Sequence, residues 1–445
     1  MMINSLKLKN VGPKDNLELK LGTRLNIFTG DNGLGKSFLL DIIWWALTRT
    51  WPNDINSEIV TGYLAKPRDM AQKKEAKIEF NIIGKTGKPK KYSSTYDARD
   101  ETWSGRQGRP INPGLVIYTM SDGSFALWDP ARNYWKQKGG IDIQERVPAY
   151  VYTQKEIWDG QIIKNSNNKD EQIFEGLVRD WSFWQIGNTE EFRLLKELLK
   201  SLSPENELLE PGELTRIRLD DGRKIPTIKM PYGKEVPLYH LSSGVRRIIT
   251  LCYFLVYAWQ EHRENARLLG EEPTKQIIFL IDEIEAHLHP KWQRQIIPTL
   301  LNVMTKLVNG AQTQLITATH SPLIMASLEP IFDPVKDLWV DFDLKDGLVE
   351  VKEELFEKFG SINNWLESEA FNLKNSYAFE YEKLIEEAKA LISSKRKAQP
   401  TKDEIESMRK RLSDALSPTD EFLFYWRSIC EKKGYLPHVT SKTSS

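Results

Sequence analysis

Three short alternating runs open the chain: SLKLKNV, LELKL and RLNIFTG place apolar residues at every second position. That period predicts strands, and the third run feeds a glycine-rich turn. From SFLLDIIWWALTRTW (37–51) the spacing becomes helical, with Arg49 near the end, where a cation suits the helix dipole. AKIEFNIIG reads as another strand, and residues 85–114 as a polar, turn-rich exposed loop. LVIYTMSDGSFALWDP has the form of a β-hairpin closed by Ser-Asp-Gly. Helical spacing returns in IFEGLVRDWSFWQIG and EEFRLLKELLKSL, and 204–236 reads as turns and short strands. A helix over 243–262, the strand IIFLID, a helix around KWQRQIIPTLLNVMTKLV and the strand TQLITATH follow. The tail from about 376 is helical and charged, interrupted at Gln399–Pro400.

Strand, glycine loop, helix is a layout for holding phosphate, and GDNGLGKS (30–37) fits G-x-x-x-x-G-K-[ST] at every fixed position. Gly30, Gly33 and Gly35 let successive backbone N–H groups face phosphate oxygens at a helix N-terminus. Lys36 is the residue to bridge β- and γ-phosphates, and Ser37 to ligate Mg²⁺. IIFLIDE (277–283) is a continuous apolar strand ending in two carboxylates: Asp282 for the Mg²⁺ water shell, Glu283 to polarise the attacking water. A second buried strand ends at His320, a capped core residue taken alone and a γ-phosphate contact in this company. LSSGVRR (241–247) opens a helix, with Ser242 as a cap and Ser243 and Gly244 keeping the N-terminus open to an anion.

Composition narrows the picture. The 445 residues are 40% apolar and 28% charged, an ordinary globular mixture, and 62 Lys+Arg against 62 Asp+Glu leave no global charge to mark a nucleic-acid or membrane binder. Any such contact needs a local patch; KPKK (88–91) is a candidate for phosphate backbone, or simply a solvated loop. Two distant cysteines exclude a disulfide framework or cysteine-ligated zinc. The start lacks an apolar signal segment, and IITLCYFLVYAW (248–259) is too short to span a bilayer. A cytoplasmic protein without membrane contact is expected.

In this order, P-loop, LSSG, acid pair and strand-end histidine, the sequence resembles the ABC-type ATPase superfamily. It is similar to the SMC/Rad50/RecF/OLD branch, whose P-loop reads GxNGxGKS, with Asn32 at the asparagine, and whose chains open with LxLxN, here LKLKN (6–10). The resemblance spans roughly residues 3–345. It implies an α/β fold, a P-loop mixed sheet with helices, an antiparallel β subdomain and a helical subdomain, plus a C-terminal helical segment. It implies ATP and Mg²⁺ as ligands. Ser242, Ser243 and Gly244 would close in trans over the nucleotide of a second copy, giving a homodimer or higher homo-oligomer. The family's Q-loop glutamine, on nucleotide and metal, falls to Gln154, with Gln144 as the alternative. DEIEAHLHP overlays the pattern D-E-P-T-x-x-L-D-P, so His289 stands at the D-loop aspartate, facing the neighbour, and Ile284 replaces the proline. A zinc site at His287 and His289 is the competing reading, short of ligands.

No long heptad segment separates P-loop from signature, so the chain looks like a compact head, similar to OLD-like and anti-phage defence ATPases such as PtuA of Septu systems. The expected organisation is a head over 1–345, with a β insertion about 76–150 and a helical lobe about 165–270, then a mainly helical 346–445 for partner or oligomer contact. The expected function is an ATPase subunit of a cytosolic defence or DNA-processing complex controlling a separate nuclease, with nucleic acid as a further contact. The alternatives are an autonomous nuclease using DFD (341–343) with Glu350 or Glu353, and an ATP-timed scaffold.

Overall fold

The computed structural model describes all residues except 1, 71–73, 85–87, 106–110, 135, 139–140, 144–145, 165–167, 308–309, 372, 374–376, 394–398 and 438–445. The chain divides into one unit of Met1–Trp365 with Glu369–Phe371, and a second of Leu366–Ser368 with Asn372–Ser445.

An eight-stranded mixed sheet forms the centre of the first unit. Its five inner strands, Leu115–Thr119, Gln276–Ile281, Gln312–Ala318, Leu25–Gly30 and Leu338–Lys345, are parallel neighbours in that order. Gln276–Ile281 is buried at every position, as a strand covered on both faces must be. Side chains alternate between two cores. Val116, Tyr118, Ile278, Leu280 and Ile316 pack on the P-loop helix Lys36–Thr48 through Leu39, Leu40, Ile43 and Trp44. Ile117, Ile277 and Phe279 face the long helix Ser243–Leu268 and the helix Glu190–Leu202.

A five-stranded antiparallel sheet covers the far side of the P-loop helix, burying Ile3, Leu6, Leu8, Ile78 and Phe80 in the same core. Two of its strands, Pro89–Asp97 and Thr102–Trp103, lie where a loop was expected. Their polar sequence hides them: Tyr92 and Ser94 point inward while their neighbours stay wet, and Tyr92 stacks on Phe80 at 5.2 Å.

The stretch 76–150 is therefore not one layer. The hairpin Leu115–Thr119 with Phe125–Trp128 joins the central sheet, and Tyr150–Tyr152 extends that sheet by pairing with Phe125–Trp128. Continuous burial on both faces, rather than alternation, is the mark of that membership. The expected lobe at 165–270 also opens with a hairpin, Gln161–Lys164 with Asp170–Phe174, and holds a small three-stranded sheet. The head runs past 345, because Leu348–Glu354 returns antiparallel beside Leu338–Lys345 and completes the sheet.

Among the described residues the second unit is a cluster of three helices, Phe379–Ile392, Lys402–Ala415 and Glu421–Lys432. Its core holds Ile385, Leu412, Trp426 and Cys430, with Trp426 Nε1 donating to the Ala388 carbonyl at 2.9 Å. Among the described residues no helix is long and apolar enough to cross a membrane.

Candidate functional site

The five parallel strands bring their C-terminal ends to one edge of the sheet, and the chemically marked residues collect there. The P-loop starts at Gly30, whose added Cβ would lie 2.0 Å from the Phe342 carbonyl oxygen; only glycine lets the strand Leu338–Lys345 pair so closely. Gly33 and Gly35 take φ of +77° and +99°, the left-handed region closed to most side chains. Asn32, Gly33 and Ser37 are exposed on this loop. The helix that follows has no side-chain cap and no acid in its first turn, so its leading N–H groups face an anion unopposed.

Lys36 is only 5% exposed, and its Nζ donates to the carbonyls of Gly30 (2.8 Å) and Asp31 (2.6 Å). Burial lowers its pKa to about 8 against the pull of Asp282 and Asp31. Its direct hydrogen bonds go to carbonyls and not to a carboxylate, so a phosphate supplies the contact charge that the buried ammonium lacks.

Asp282 is buried at the end of its strand. Desolvation raises its pKa, while the hydroxyls of Ser37 and Ser121 draw it back. Its Oδ1 is buried without a hydrogen-bond partner. That orphaned oxygen, beside Ser37 and the P-loop, fits a hydrated divalent cation that takes its remaining ligands from phosphate and water. Among the described residues no cluster of three or more His, Cys, Asp or Glu could hold a metal by itself. The zinc reading of His287 and His289 thus finds no third ligand among them.

Glu283 adopts φ +48° immediately after the strand, a strained conformation for a non-glycine residue at a turn that re-aims the chain. Arg247 donates to the carbonyls of Asp282 (3.2 Å) and Glu283 (2.9 Å), pinning that turn from the long helix. His320, on the neighbouring strand end, has its pKa lowered by burial and by Lys36, with the Gly30 carbonyl within hydrogen-bonding reach of its ring. The structure therefore assembles Lys36, Ser37, Asp282, Glu283 and His320 at one edge.

Gln154 begins the helix Gln154–Asp159 and packs on Gly123, lining a cavity of about 220 Å³ with Ser243, Arg247 and His287. Ser121 and Asp122 also line that cavity, next to the acid-pair strand. The side chain beside Asp282 from that direction is Ser121, just past the strand Leu115–Thr119. Strand order explains this: Leu115–Thr119 is hydrogen-bonded directly to the acid-pair strand, whereas Tyr150–Tyr152, which leads to Gln154, lies at the sheet edge. Gln144 lies outside the described residues. Asp41, on the P-loop helix, was also missed; it accepts from Tyr118 Oη at 2.9 Å, and burial raises it to about 7.

The signature residues open the helix Ser243–Leu268. Ser242 occupies the N-cap position but makes no side-chain cap bond, contrary to expectation, and both Ser242 and Ser243 are exposed. Their hydroxyls and the first N–H groups are left free for an external anion. Gly244 is required sterically, since a Cβ there would meet the His287 carbonyl at 2.4 Å. His289 is exposed and caps the short helix Pro290–Gln293, its Nδ1 accepting from the Lys291 amide at 3.3 Å.

Residues 5–211 match the family described as "AAA domain", and residues 161–326 the one described as "AAA domain, putative AbiEii toxin, Type IV TA system". The chain is 29% identical over 520 aligned positions to "Retron Ec83 probable ATPase" of Escherichia coli, covering 97% of this chain and 87% of that protein. Septu protein PtuA of Bacillus thuringiensis is 21% identical, with 72% of each chain covered. PtuA of Bacillus mycoides is 25% identical over 51% of this chain, which spans 28% of that protein. Among solved structures, the SMC head domain from Thermotoga maritima superposes with a TM-score of 0.39 at 14% identity, covering 80% of this chain and all of that one. These relatives bear out the resemblance to the compact ATPase branch that includes PtuA.

Proposed function

We propose that the chain is the ATP-binding and ATP-hydrolysing subunit of a defence or DNA-processing complex, pairing two copies around nucleotide to control a separate effector. The observation that carries this reading is the meeting of Lys36, Ser37, Asp282, Glu283 and His320 at one sheet edge, with the start of the signature helix uncapped and exposed. Relatives named as ATPases support the hydrolytic half.

In this reading the P-loop amides and Lys36 take the β- and γ-phosphates, and the ammonium exchanges two carbonyls for a full countercharge. Ser37 and Asp282 hold Mg²⁺, which supplies charge neutralisation on the phosphates when bound. Glu283 accepts a hydrogen bond from the attacking water, and His320 contacts the γ-phosphate. Ser242, Ser243 and Gly244 of a second copy close the site, with His289 at the same junction. The second unit is the surface assigned to a partner.

The autonomous-nuclease alternative loses support. Asp341 accepts from Thr29 Oγ1 at 2.5 Å inside the sheet, and Thr29 is held in turn by Trp339 Nε1 at 2.8 Å. Glu350 pairs with Lys352, and Glu353 accepts from the Lys20 amide. Asp341, the first carboxylate of DFD, is thus committed to the fold.

The test is ATP turnover and mass in solution with and without ATP. Lys36→Ala should abolish nucleotide binding. Glu283→Gln should bind ATP, turn it over at least about 100-fold more slowly, and accumulate the ATP-bound dimer. A wild-type chain that neither hydrolyses ATP nor associates with it sinks the proposal.

A further inference from the structure

The segment DEIEAHLHP holds a third carboxylate, Glu285, to which the reading above gives no role. Its side chain reaches the next strand end. One oxygen accepts from Thr319 Oγ1 at 2.8 Å, and the other accepts the backbone N–H of His320. Burial raises the pKa of this carboxyl, and the two donors oppose that shift.

A second tie runs parallel. Ser321 Oγ donates to Gln293 Oε1 at 2.6 Å, and Gln293 Nε2 donates to the Leu288 carbonyl at 2.8 Å. Residues 285–293 and 319–321 are thus joined at two points by side chains. The first of those segments also meets the signature helix, where Gly244 lies against the His287 carbonyl. Glu283, two residues before Glu285, sits in a left-handed turn that its own backbone does not favour.

We propose that Glu285 is a positioning residue, fixing His320 against Glu283 so that the γ-phosphate contact and the water-polarising carboxylate keep one spacing. This rests on the ATPase reading. In this assignment Glu285 acts through Thr319 and the His320 backbone and not on the reacting atoms. The choice of side chain follows from the donors: a backbone N–H and a hydroxyl converge on one group, which must offer two acceptor oxygens or one acceptor and one donor. Glutamine satisfies the second condition, because the Thr319 hydroxyl can rotate to accept from an amide N–H while the His320 amide keeps its oxygen. Alanine satisfies neither, and leaves the strand end free to shift.

The experiment compares Glu285→Ala, Glu285→Gln and Thr319→Val with wild type, using the full chain. Glu285→Ala should lower kcat by about 10- to 100-fold, the cost of misplacing reacting groups by about an ångström, while affinity for a non-hydrolysable ATP analogue stays within about threefold. Glu285→Gln should restore kcat to within about threefold of wild type, and Thr319→Val should fall between. Amide hydrogen exchange over 319–321, measured without nucleotide, should quicken in Glu285→Ala and return to wild type in Glu285→Gln.

A Glu285→Gln variant as inactive as Glu283→Gln overturns the proposal, because the charge would then matter and not the spacing. Wild-type turnover in Glu285→Ala overturns it too, as does a parallel loss of nucleotide affinity. If the wild type shows no turnover that Lys36→Ala removes, the ATPase reading has failed. The exchange measurement then still decides whether Glu285 holds the strand end. Should Glu285→Ala not fold, Glu285→Gln against Thr319→Val carries the comparison, the valine removing both the bond to Glu285 and the acceptor of the Ser321 N–H, so turnover in Thr319→Val equal to Glu285→Gln overturns the proposal.

Discussion

Asp180 is a carboxylate that the fold charges reluctantly. It accepts from Tyr253 Oη at 2.6 Å, yet burial raises its pKa to about 7, with Glu175 and Glu261 pushing the same way and Arg179 opposing. An unfolded aspartate titrates near 3.9, so between roughly pH 4 and 7 the folded chain binds the extra proton, and stability falls as pH rises through that window. Asparagine keeps the acceptor for Tyr253 without the charge. Asp180→Asn should therefore melt with the wild type near pH 4 and about 2 °C above it at pH 8, read by thermal unfolding at the two pH values. At this scale the P-loop was legible because all its parts are consecutive in the chain. Ser121 and Glu285 were not: each acts on a partner from another strand, and a serine after a strand or a glutamate in a turn carries no local mark.

Elements were legible where one period ran without interruption. The P-loop helix and the acid-pair strand announce themselves by helical spacing and unbroken apolarity. Pro89–Asp97 fails both tests, since its register is set by pairing with Lys77–Ile83 and not by its own composition. The expected helix from 291 on is broken between Gln293 and Ile296, where Gln293 turns back to the Leu288 carbonyl. The start of the helix Ser243–Leu268 shows how little room an element can have: Gly244→Ala drives a Cβ into the His287 carbonyl, forcing the helix off the turn that carries Glu283. That substitution should destabilise the chain by about 1–3 kcal/mol in denaturant unfolding. It should also weaken ATP-driven association more than ATP binding, since no P-loop atom is among the near neighbours of Gly244; equal loss of both would contradict the assignment.

For the whole molecule, the order of motifs was readable from the chain and the order of strands was not. Strand order decides that Leu115–Thr119 sits beside the acid pair and that Leu338–Lys345 sits beside Leu25–Gly30, and it depends on pairings between residues more than 100 positions apart. An exposed signature on the same chain as a complete P-loop has a consequence for inheritance. Two differently damaged copies can help each other. A chain with Lys36→Ala keeps a sound signature, and one with Ser243→Arg, at an exposed position, keeps a sound P-loop. If each site draws one half from each copy, every mixed pair contains one whole site. Random mixing of two inactive variants should then recover about a quarter of the wild-type turnover, half the pairs being mixed and one site in two intact. Two lesions of one half, Lys36→Ala with Ser37→Ala, should recover nothing, whatever the mixing ratio.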